Sequence, residues 1–388
     1  MSERFIEKRL IAMKTPEHAR LVSLAARMEG VVRLQGGDPD FPTPIHIREA
    51  AIKALEEGWT HYPPNHGLPE LREAIADYHG KYGTDWRASE VTVTGGSGMA
   101  LFKTITATIN PGDEALLPEP YYMAYSGLLN YAGARSVAAP LIEEEGYRLD
   151  AEALREAVTP RSKMIVLCNP NNPTGTVYTE EELSEIADIS VDNDLLVVTD
   201  ECYNELVWDG RSHRSIVAFP GMRERTIVCM SFSKTFSMTG WRLGYILAEE
   251  GLTSHIRRQP LGPRISTFVQ KAGVAALKGP WEPVRAMHEE FDRRRRFLVP
   301  RLNEIEGVSC HMPEGSIFTF PSIRDLGVKS VEFAESLLKE RKILVRPGVA
   351  FGEAGENHLR VPLIKPVDVL ERVADAIEEQ ARASPRSL

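Results

Sequence analysis

Cysteine is scarce in this sequence, with four residues in a chain of 388. No two of them form a C-x-x-C pair, and no cysteine and histidine spacing matches a zinc site. They are Cys168, Cys202, Cys229 and Cys310, of which the first three lie in or beside apolar runs typical of strands. We therefore expect reduced, mostly core thiols in a cytoplasmic protein rather than a disulfide framework.

Long apolar runs and excess positive charge are also lacking. No run approaches the roughly 18 residues of a membrane span, and the charged N-terminus MSERFIEKRL lacks the apolar core of a signal peptide. A net charge of −9 disfavours nucleic-acid or membrane-surface binding, because polyanions would be repelled. The ten histidines have no metal-ligand spacing, so no metal site is predicted. Small-molecule chemistry is left as the expected class of function.

What the sequence does contain is a repeated order of strand, loop and helix. Short apolar runs end at residues 94, 168, 199 and 230 and lead into polar or glycine-rich loops. Thr179 and Glu182 form a capping box that predicts a helix start. This alternation predicts an α/β fold whose largely parallel sheet is covered on both faces.

The length of the chain predicts two domains, because it exceeds the size that one hydrophobic core usually serves. We expect a large domain over 46–284 and a smaller α+β domain over 285–388, with residues 1–45 packing against the smaller one. Four consecutive arginines, 293–296, are expected on a solvated and internally paired helix face. The tail 383–388 is expected to be disordered.

Polar residues at the predicted strand ends are candidates for a ligand site, because ligands bind at the carboxyl ends of parallel strands. The turn GGSG would present the N–H groups of Ser97 and Gly98 at a helix start, which suits a phosphate but also describes a plain turn. NPNNPTG can hold Asn172 in a fixed place or form a bare turn. Asp200 follows an apolar strand, so burial should raise its pKa unless it meets a cation; a helix N-cap is the alternative.

The segment SFSKTFSMTGWRLGY places Lys234 just after another predicted strand. Most lysines are solvated, but a lysine in this position can be desolvated into a nucleophile that forms a Schiff base with an aldehyde. A lysine, a buried aspartate and a phosphate-binding helix start together describe a site for pyridoxal 5′-phosphate (PLP). They would hold its aldehyde, its ring nitrogen and its phosphate.

Several motifs, in this order along the chain, resemble the fold-type I, class I/II PLP-dependent aminotransferases from LQGGDPDF to HLRVPL. The resemblance implies a large domain with a mixed, mostly parallel seven-stranded sheet and a smaller α+β domain. SFSK and the later arginine match the family's S-x-x-K motif. This match implies Lys234 as the Schiff-base lysine and Ser231 and Arg242 as phosphate ligands.

The resemblance also implies roles around the cofactor ring. In DECY, Asp200 matches the partner of the ring nitrogen and Tyr203 matches a donor to the ring's 3′-oxygen. Asn172 of NPTG matches the second contact to that oxygen, and Tyr122 of PEPYYMAY matches the aromatic residue that stacks on the ring. Asp200 would keep the ring nitrogen protonated, so that the ring accepts electrons.

Substrate and subunit contacts are implied in the same way. Arg360 of HLRVP matches the arginine that binds the substrate carboxylate, and Gly37 of GGDPDF matches the glycine that lets substrate approach the backbone. Tyr62 of YPPNHGLPELREAI matches a tyrosine that reaches the neighbouring subunit's phosphate, which implies a homodimer with shared active sites. Arg264 of GPRISTF is a candidate to bind a distal substrate carboxylate. Met123, where proline is common, departs from the pattern, so the amino donor is left open.

The sequence thus predicts a cytoplasmic, homodimeric PLP aminotransferase that moves the amino group of an L-amino acid to a 2-oxo acid, such as 2-oxoglutarate or pyruvate. Lys234 would carry the proton between the substrate and the cofactor. A cysteine-S-conjugate or cystathionine β-lyase shares the same residues and is the first alternative. A PLP-sensing regulatory protein is the second, and is disfavoured because only about 35 residues precede LQGGDPDF.

Overall fold

The computed structural model describes residues 3–7, 10–11, 17–260 and 264–384, so the predicted disordered tail lies outside the described residues from residue 385 on. The strands are β1 Val32–Arg33, β2 Val91–Thr94, β3 Glu114–Glu119, β4 Arg135–Ile142, β5 Arg148–Leu149, β6 Ser162–Cys168, β7 Leu196–Asp200, β8 Thr226–Ser231, β9 Gly244–Ala248, β10 Phe318–Thr319, β11 Ile343–Leu344, β12 Arg346–Pro347 and β13 Leu359–Pro362. The α-helices are α1 Glu17–Ala25, α2 Ile45–Glu56, α3 Pro69–His79, α4 Ser97–Thr108, α5 Ala124–Ala132, α6 Ala151–Glu156, α7 Glu180–Asp192, α8 Glu250–Ile256, α9 Thr267–Lys278, α10 Glu282–Asn303, α11 Ser330–Arg341 and α12 Val367–Ala383.

An eight-stranded mixed sheet forms the centre of the fold, in the order β2-β9-β8-β7-β6-β3-β4-β5. Strands β3, β4, β6, β7 and β8 run parallel to their neighbours within this group, whereas β9 is antiparallel to both β2 and β8. The predicted α/β class and mostly parallel sheet are therefore confirmed. The predicted count of seven strands is wrong by one, because the two-residue β5 turns back antiparallel to β4 after the left-handed Gly146 and Tyr147. A strand of two residues leaves no periodic signal in a sequence.

Both faces of the sheet are covered, as the continuous apolar runs predict. In β8, Ile227 and Cys229 pack into one hydrophobic cluster with side chains of α4. The alternate residues Val228 and Met230 pack into another cluster with side chains of α3. Successive residues of a strand point to opposite faces, so a strand buried on both faces must be apolar throughout.

Local signals read from the sequence are present at the expected places. The four predicted strands correspond to β2, β6, β7 and β8, with ends shifted by one residue at most. The capping box at the start of α7 is formed, since Thr179 Oγ1 accepts from Glu182 N (3.1 Å) and Glu182 Oε2 accepts from Thr179 N (2.7 Å). All four cysteines are buried and unpaired, as predicted.

The N-terminal segment contacts the C-terminal part of the chain. Val32 of β1 pairs in parallel with Ile343 of β11, and the Asp40 carboxylate accepts two bonds from the Arg294 guanidinium (2.7 and 3.1 Å). Strands β10, β13 and β12 form a small antiparallel sheet. The predicted domain boundary at 285 falls inside the first turn of α10, and the domain limits stay a prediction. Among the helices described, none is long and apolar enough to cross a membrane.

The arginine run in α10 is paired, but only half of it is solvated. Arg293 and Arg296 lie at the surface, whereas Arg294 and Arg295 are buried. Arg295 donates to Asp292 Oδ1 (2.6 Å), to Asp209 Oδ1 (2.7 Å) and to a backbone carbonyl. The prediction of a solvated face is therefore wrong for two of the four. The rest of the fold packs over one side of α10, where carboxylates and backbone carbonyls accept hydrogen bonds from the buried guanidinium groups.

Candidate active site

A cavity of about 390 Å³ lies at the carboxyl edge of the central sheet, beside the small antiparallel sheet. Strands β6, β7 and β8 end at this edge, and α4 begins there. Nearly all site residues predicted from the sequence line this cavity; they are Gly37, Ser97, Gly98, Tyr122, Asn172, Asp200, Tyr203, Ser231, Lys234, Arg242 and Arg360. Tyr62 is not among the lining residues.

Lys234 lies in the turn that follows β8. Ser231 ends the strand, and its Oγ accepts a bond from the Ser233 backbone N–H (3.1 Å), which fixes the first bend. The Lys234 amine donates a hydrogen bond to the Gly37 carbonyl oxygen. Burial lowers the pKa of Lys234 from 10.5 to about 8, and the positive charges of Arg360 and Arg242 act in the same direction. The amine is thus close to its point of deprotonation at neutral pH.

Asp200 ends β7 and is 5% exposed. Its Oδ1 accepts from the Cys202 backbone N–H (3.3 Å), and its Oδ2 accepts from the Tyr125 hydroxyl (3.2 Å). Burial raises the pKa of Asp200, as predicted, although these two donors oppose the shift. Residues 201–205 form a turn instead of a helix, so the alternative of a helix N-cap is not realised.

The NPNNPTG segment is a tightly bonded loop instead of a bare turn. The Asn171 backbone N–H donates to the Thr176 carbonyl (2.8 Å), and the Asn171 side chain accepts from Thr174 N (3.2 Å) and Thr174 Oγ1 (3.1 Å). This frame fixes the next residue, Asn172, which is buried. Its Oδ1 accepts a bond from Nη1 of Arg360 (3.0 Å).

Arg360 is held from several sides within β13. Besides the Asn172 contact, its Nη2 donates to the Gln35 carbonyl (2.8 Å), and its guanidinium lies 4.1 Å from the centre of the Phe318 ring. Its Nε is buried without a hydrogen-bond partner among the described residues. Burial and the charge of Arg346 lower the pKa of Arg360 to about 9. A buried guanidinium with an unused donor is well suited to bind a carboxylate.

The start of α4 forms a concave surface with donors pointing into the cavity. Gly96 precedes the helix with φ of +87°, and no side chain among the described residues caps the N-terminal N–H groups of Ser97 and Gly98. Arg242 lies against this turn, donating to the carbonyls of Gly95 (3.2 Å) and Thr239 (2.8 Å). A Cβ at Gly96 would come within 2.7 Å of the guanidinium, so glycine is required there by both the φ angle and the close approach.

Aromatic side chains line the remaining walls. Tyr122 contacts Tyr125 edge to face (ring centroids 5.5 Å apart), and Tyr203 contacts Phe318 in the same way (5.7 Å). Gly37 leaves space beside the Phe318 ring, because a Cβ at that position would lie 2.8 Å from Cζ of the ring. The cavity therefore has flat apolar walls between its cationic and anionic groups.

Two residues named from the sequence, Tyr62 and Arg264, do not line the cavity of this chain. The Tyr62 side chain is 82% exposed, and the Arg264 guanidinium lies 4.7 Å from its ring centre. Both residues lie at the surface of the described chain.

Several lining residues escaped the sequence reasoning. They are Gln35, Asp38, Met123, Cys202, Ser233, Thr239, Phe318 and Arg346. The sequence reasoning also missed Tyr125, which lies behind Asp200 and donates a hydrogen bond to it. Ser233 and Thr239 belong to the segment SFSKTFSMTGWRLGY, so their closeness to Lys234 in the sequence could have identified them. No sequence signal could have identified Arg346, because the sequence of a short strand does not show which way an arginine side chain points.

The residues present fit PLP. The cavity holds a lysine that is easily deprotonated, and a buried aspartate for which the described residues offer no ion-pair partner. It also holds an uncapped helix start next to an arginine. These groups match the aldehyde, the ring nitrogen and the phosphate in turn. The individual roles stay predictions.

Comparison with known proteins identifies the family. The model of aminotransferase class I and II matches residues 29–377. The chain is 39% identical over 380 residues to the aromatic-amino-acid aminotransferase 2 of Thermococcus litoralis, and 40% identical over 380 residues to an aspartate aminotransferase of Pyrococcus abyssi. Each alignment covers 96% of this chain and 97% of the relative.

A solved structure agrees with this result. The crystal structure of an aromatic aminotransferase from Pyrococcus horikoshii is 38% identical and matches with a TM-score of 0.88, covering 94% of this chain and 99% of that one. The β-lyase alternative is not favoured, because these relatives are named aminotransferases. The chain belongs to the class I and II aminotransferases and is a PLP-dependent transaminase.

Proposed function

We propose that this enzyme moves the amino group of an L-amino acid to a 2-oxo acid, with Lys234 as the residue that binds PLP and carries the proton. One observation carries the proposal. A single cavity unites Lys234, whose pKa is lowered to about 8, with the buried side chains of Asp200 and Arg360. Bound PLP supplies a ring that accepts electrons and so stabilises negative charge on the substrate Cα.

Lys234 is suited to remove and return a proton near neutral pH. A general base works best when its pKa is close to the working pH, because a useful fraction is then neutral and still basic. Burial is the largest cause of the lowered pKa, and among the described residues no carboxylate forms an ion pair with Lys234. The bond from the amine to the Gly37 carbonyl directs it toward the loop where a side chain is missing and substrate has room.

Asp200 is suited to hold a proton on the ring nitrogen. Its ionised form is disfavoured by burial, so a cation placed against it would be stabilised strongly. The Tyr125 hydroxyl and the Cys202 N–H fix the direction of the carboxylate. Tyr203 and Asn172 would contact the ring's 3′-oxygen.

The other lining residues bind and orient. Tyr122 would stack on the ring, while Ser97, Gly98, Ser231 and Arg242 would bind the phosphate; the uncapped start of α4 supports this assignment. Arg360 would bind the substrate α-carboxylate in a two-pronged contact that a lysine could not reproduce.

We further propose a cytoplasmic homodimer with shared active sites. Apolar side chains stand exposed on and after α2; they are Ile45, Ile52, Leu55, Trp59 and Tyr62. An exposed apolar group of this kind is typical of an interaction surface, and a second copy of the chain would cover it. The exposed Tyr62 hydroxyl would then reach the partner's phosphate. Four unpaired cysteines support a reducing compartment.

The reaction is tested by separating its two halves. A donor such as glutamate, alanine or an aromatic amino acid, added without acceptor, should convert the bound cofactor stoichiometrically to its amino form, and 2-oxoglutarate or pyruvate should restore it. Spectroscopy of the cofactor follows both steps. Failure of every ordinary donor, together with release of pyruvate and ammonia from cystathionine without any oxo acid, would refute the transfer.

The role of Lys234 is tested by borohydride reduction and peptide mass analysis. Reduction of the loaded enzyme should fix the cofactor on Lys234, and Lys234→Ala should retain neither this attachment nor turnover. Lys103 is a matched control, because it is buried in α4 with a pKa lowered by burial but does not line the cavity. Lys103→Met should still be labelled at Lys234. Attachment at another lysine would remove Lys234 from its role.

A further inference from the structure

The small antiparallel sheet brings two arginines side by side at the cavity wall. Arg346 of β12 lies directly opposite Arg360 of β13 in the strand register, and both side chains line the cavity. Like charges directly opposite each other destabilise an antiparallel pair of strands. Arg346 therefore weakens the ligand-free sheet at this point.

No acidic group among the described residues neutralises the charges of Arg346 and Arg360. Arg346 donates through Nε to the Gln35 carbonyl (3.0 Å) and through Nη1 to Met123 Sδ (3.2 Å). Arg360 donates to the same Gln35 carbonyl (2.8 Å), so both guanidinium groups share one neutral acceptor. A thioether sulfur is a weak acceptor. Within residues 17–260 and 264–384, no carboxylate forms an ion pair with either guanidinium.

Acidic side chains that line the cavity are occupied elsewhere. The Asp38 carboxylate accepts a bond from Thr239 Oγ1 (2.5 Å), and Asp200 lies at the end of β7 with its own donors. The excess positive charge also reaches His18, whose pKa is lowered to about 4 by burial and by the charges of Arg346 and Arg360. The wall around the two arginines is thus arranged to receive negative charge.

We propose that Arg346 binds a second carboxylate of the substrate and selects dicarboxylic amino and 2-oxo acids. The inference rests on the proposed function, in which Arg360 takes the α-carboxylate. One carboxylate on each arginine would neutralise both charges and give Arg346 a charged acceptor in place of a sulfur atom. Arg264, the candidate named from the sequence, lies outside the cavity lining of this chain.

The test compares an inert dicarboxylate with an inert monocarboxylate on the cofactor-loaded enzyme. Glutarate and butyrate have the same carbon skeleton apart from the second carboxylate. In calorimetric titration, Arg346→Gln should bind glutarate about 10- to 100-fold more weakly than the wild type does, because it loses a hydrogen bond to a charged group. Its affinity for butyrate should be unchanged. Arg346→Lys keeps the charge without the planar fork and should lie between. Arg285→Gln, which changes an exposed arginine paired with Glu282, should alter neither ligand.

The outcomes distinguish the alternatives. Equal losses for glutarate and butyrate would place Arg346 on the α-carboxylate and overturn the proposal. Unchanged glutarate binding in Arg346→Gln, with a loss in Arg264→Gln, would move the second carboxylate to Arg264. Thermal unfolding of ligand-free Arg346→Gln should occur at the same or a higher temperature, because a like-charge pair is removed. If the wild type transaminates no acid, the proposed function fails, but the comparison of glutarate with butyrate still tests Arg346.

Discussion

Replacing Tyr125 with phenylalanine should lower kcat about 10- to 100-fold without disturbing the fold. Tyr125 is fully buried, and its hydroxyl donates to Asp200 Oδ2 over 3.2 Å. A hydrogen bond to a charged group is worth about 1.5 to 3 kcal/mol, which corresponds to a factor of about 10 to 100. The ring stays in place, so the packing of the core is retained.

The loss acts through the charge of Asp200. Burial already raises the pKa of this carboxyl, and the Tyr125 hydroxyl is one of the donors that lower it again. Removing that donor raises the pKa further and weakens the hold of Asp200 on a protonated ring nitrogen. The Cys202 N–H still donates to Oδ1, so the carboxylate keeps one fixed oxygen. For this reason we expect a partial loss instead of inactivity.

The assay pairs kinetics with thermal unfolding in a double-mutant cycle. Tyr178→Phe is the matched control, because Tyr178 is also buried but its hydroxyl has no partner among the described residues. That variant should keep the wild-type kcat. In an Asp200→Asn background, Tyr125→Phe should have little further effect, since both changes remove the same interaction. Equal losses in the two backgrounds, or an unchanged kcat in the single variant, would refute the reasoning.

Three further predictions concern stability and assembly. In the cofactor-free protein, Lys234→Met should raise the unfolding temperature at pH 7, and the gain should fade between pH 8 and 10.5. The reason is that a lysine whose pKa falls from 10.5 to about 8 on folding destabilises the protein by up to about 3 kcal/mol below that window. A heterodimer of one Lys234→Ala subunit and one Tyr62→Ala subunit should contain one fully active site, because the site that keeps Lys234 receives the intact Tyr62 of the other subunit. Two different tags allow this heterodimer to be purified and its activity measured. Arg295→Ala should cost about 2 to 5 kcal/mol in denaturant unfolding, because it leaves a cavity and removes three hydrogen bonds from a buried network, whereas exposed Arg293→Ala should cost under about 0.5 kcal/mol.

Each of these has an outcome that contradicts it. A constant gain for Lys234→Met from pH 7 to 10.5 would mean that the lysine does not titrate in that window. A heterodimer whose activity per Lys234-containing site equals that of the Tyr62→Ala homodimer would place Tyr62 in its own subunit's site. An active monomer in sedimentation would end the proposal of shared sites. Similar losses for Arg293→Ala and Arg295→Ala would mean that burial does not separate the two arginines.

Much of the site could be predicted from local sequence because the chemistry lies at strand ends. A strand buried on both faces must be apolar, so the polar residues at its end are conspicuous. Asp200 and Lys234 each follow such a run, and the two runs become neighbouring parallel strands. The glycine turn before Ser97 is equally local, because the φ of Gly96 admits few other residues. These features, in their order along the chain, were enough to identify the family and the cofactor.

Contacts between distant parts of the chain were decided only by the tertiary structure. Arg346 faces Arg360 because of the strand register, and a shift of one residue would turn either side chain to the other face. Tyr125 reaches Asp200, at the end of β7, from the helix α5. Arg295 is buried while Arg293 is not, because the fold covers one side of α10. A sequence records which groups are available and where a strand or helix ends. The surroundings that set the charge and partners of each group come from segments far away in the chain, and they exist only once the chain has packed.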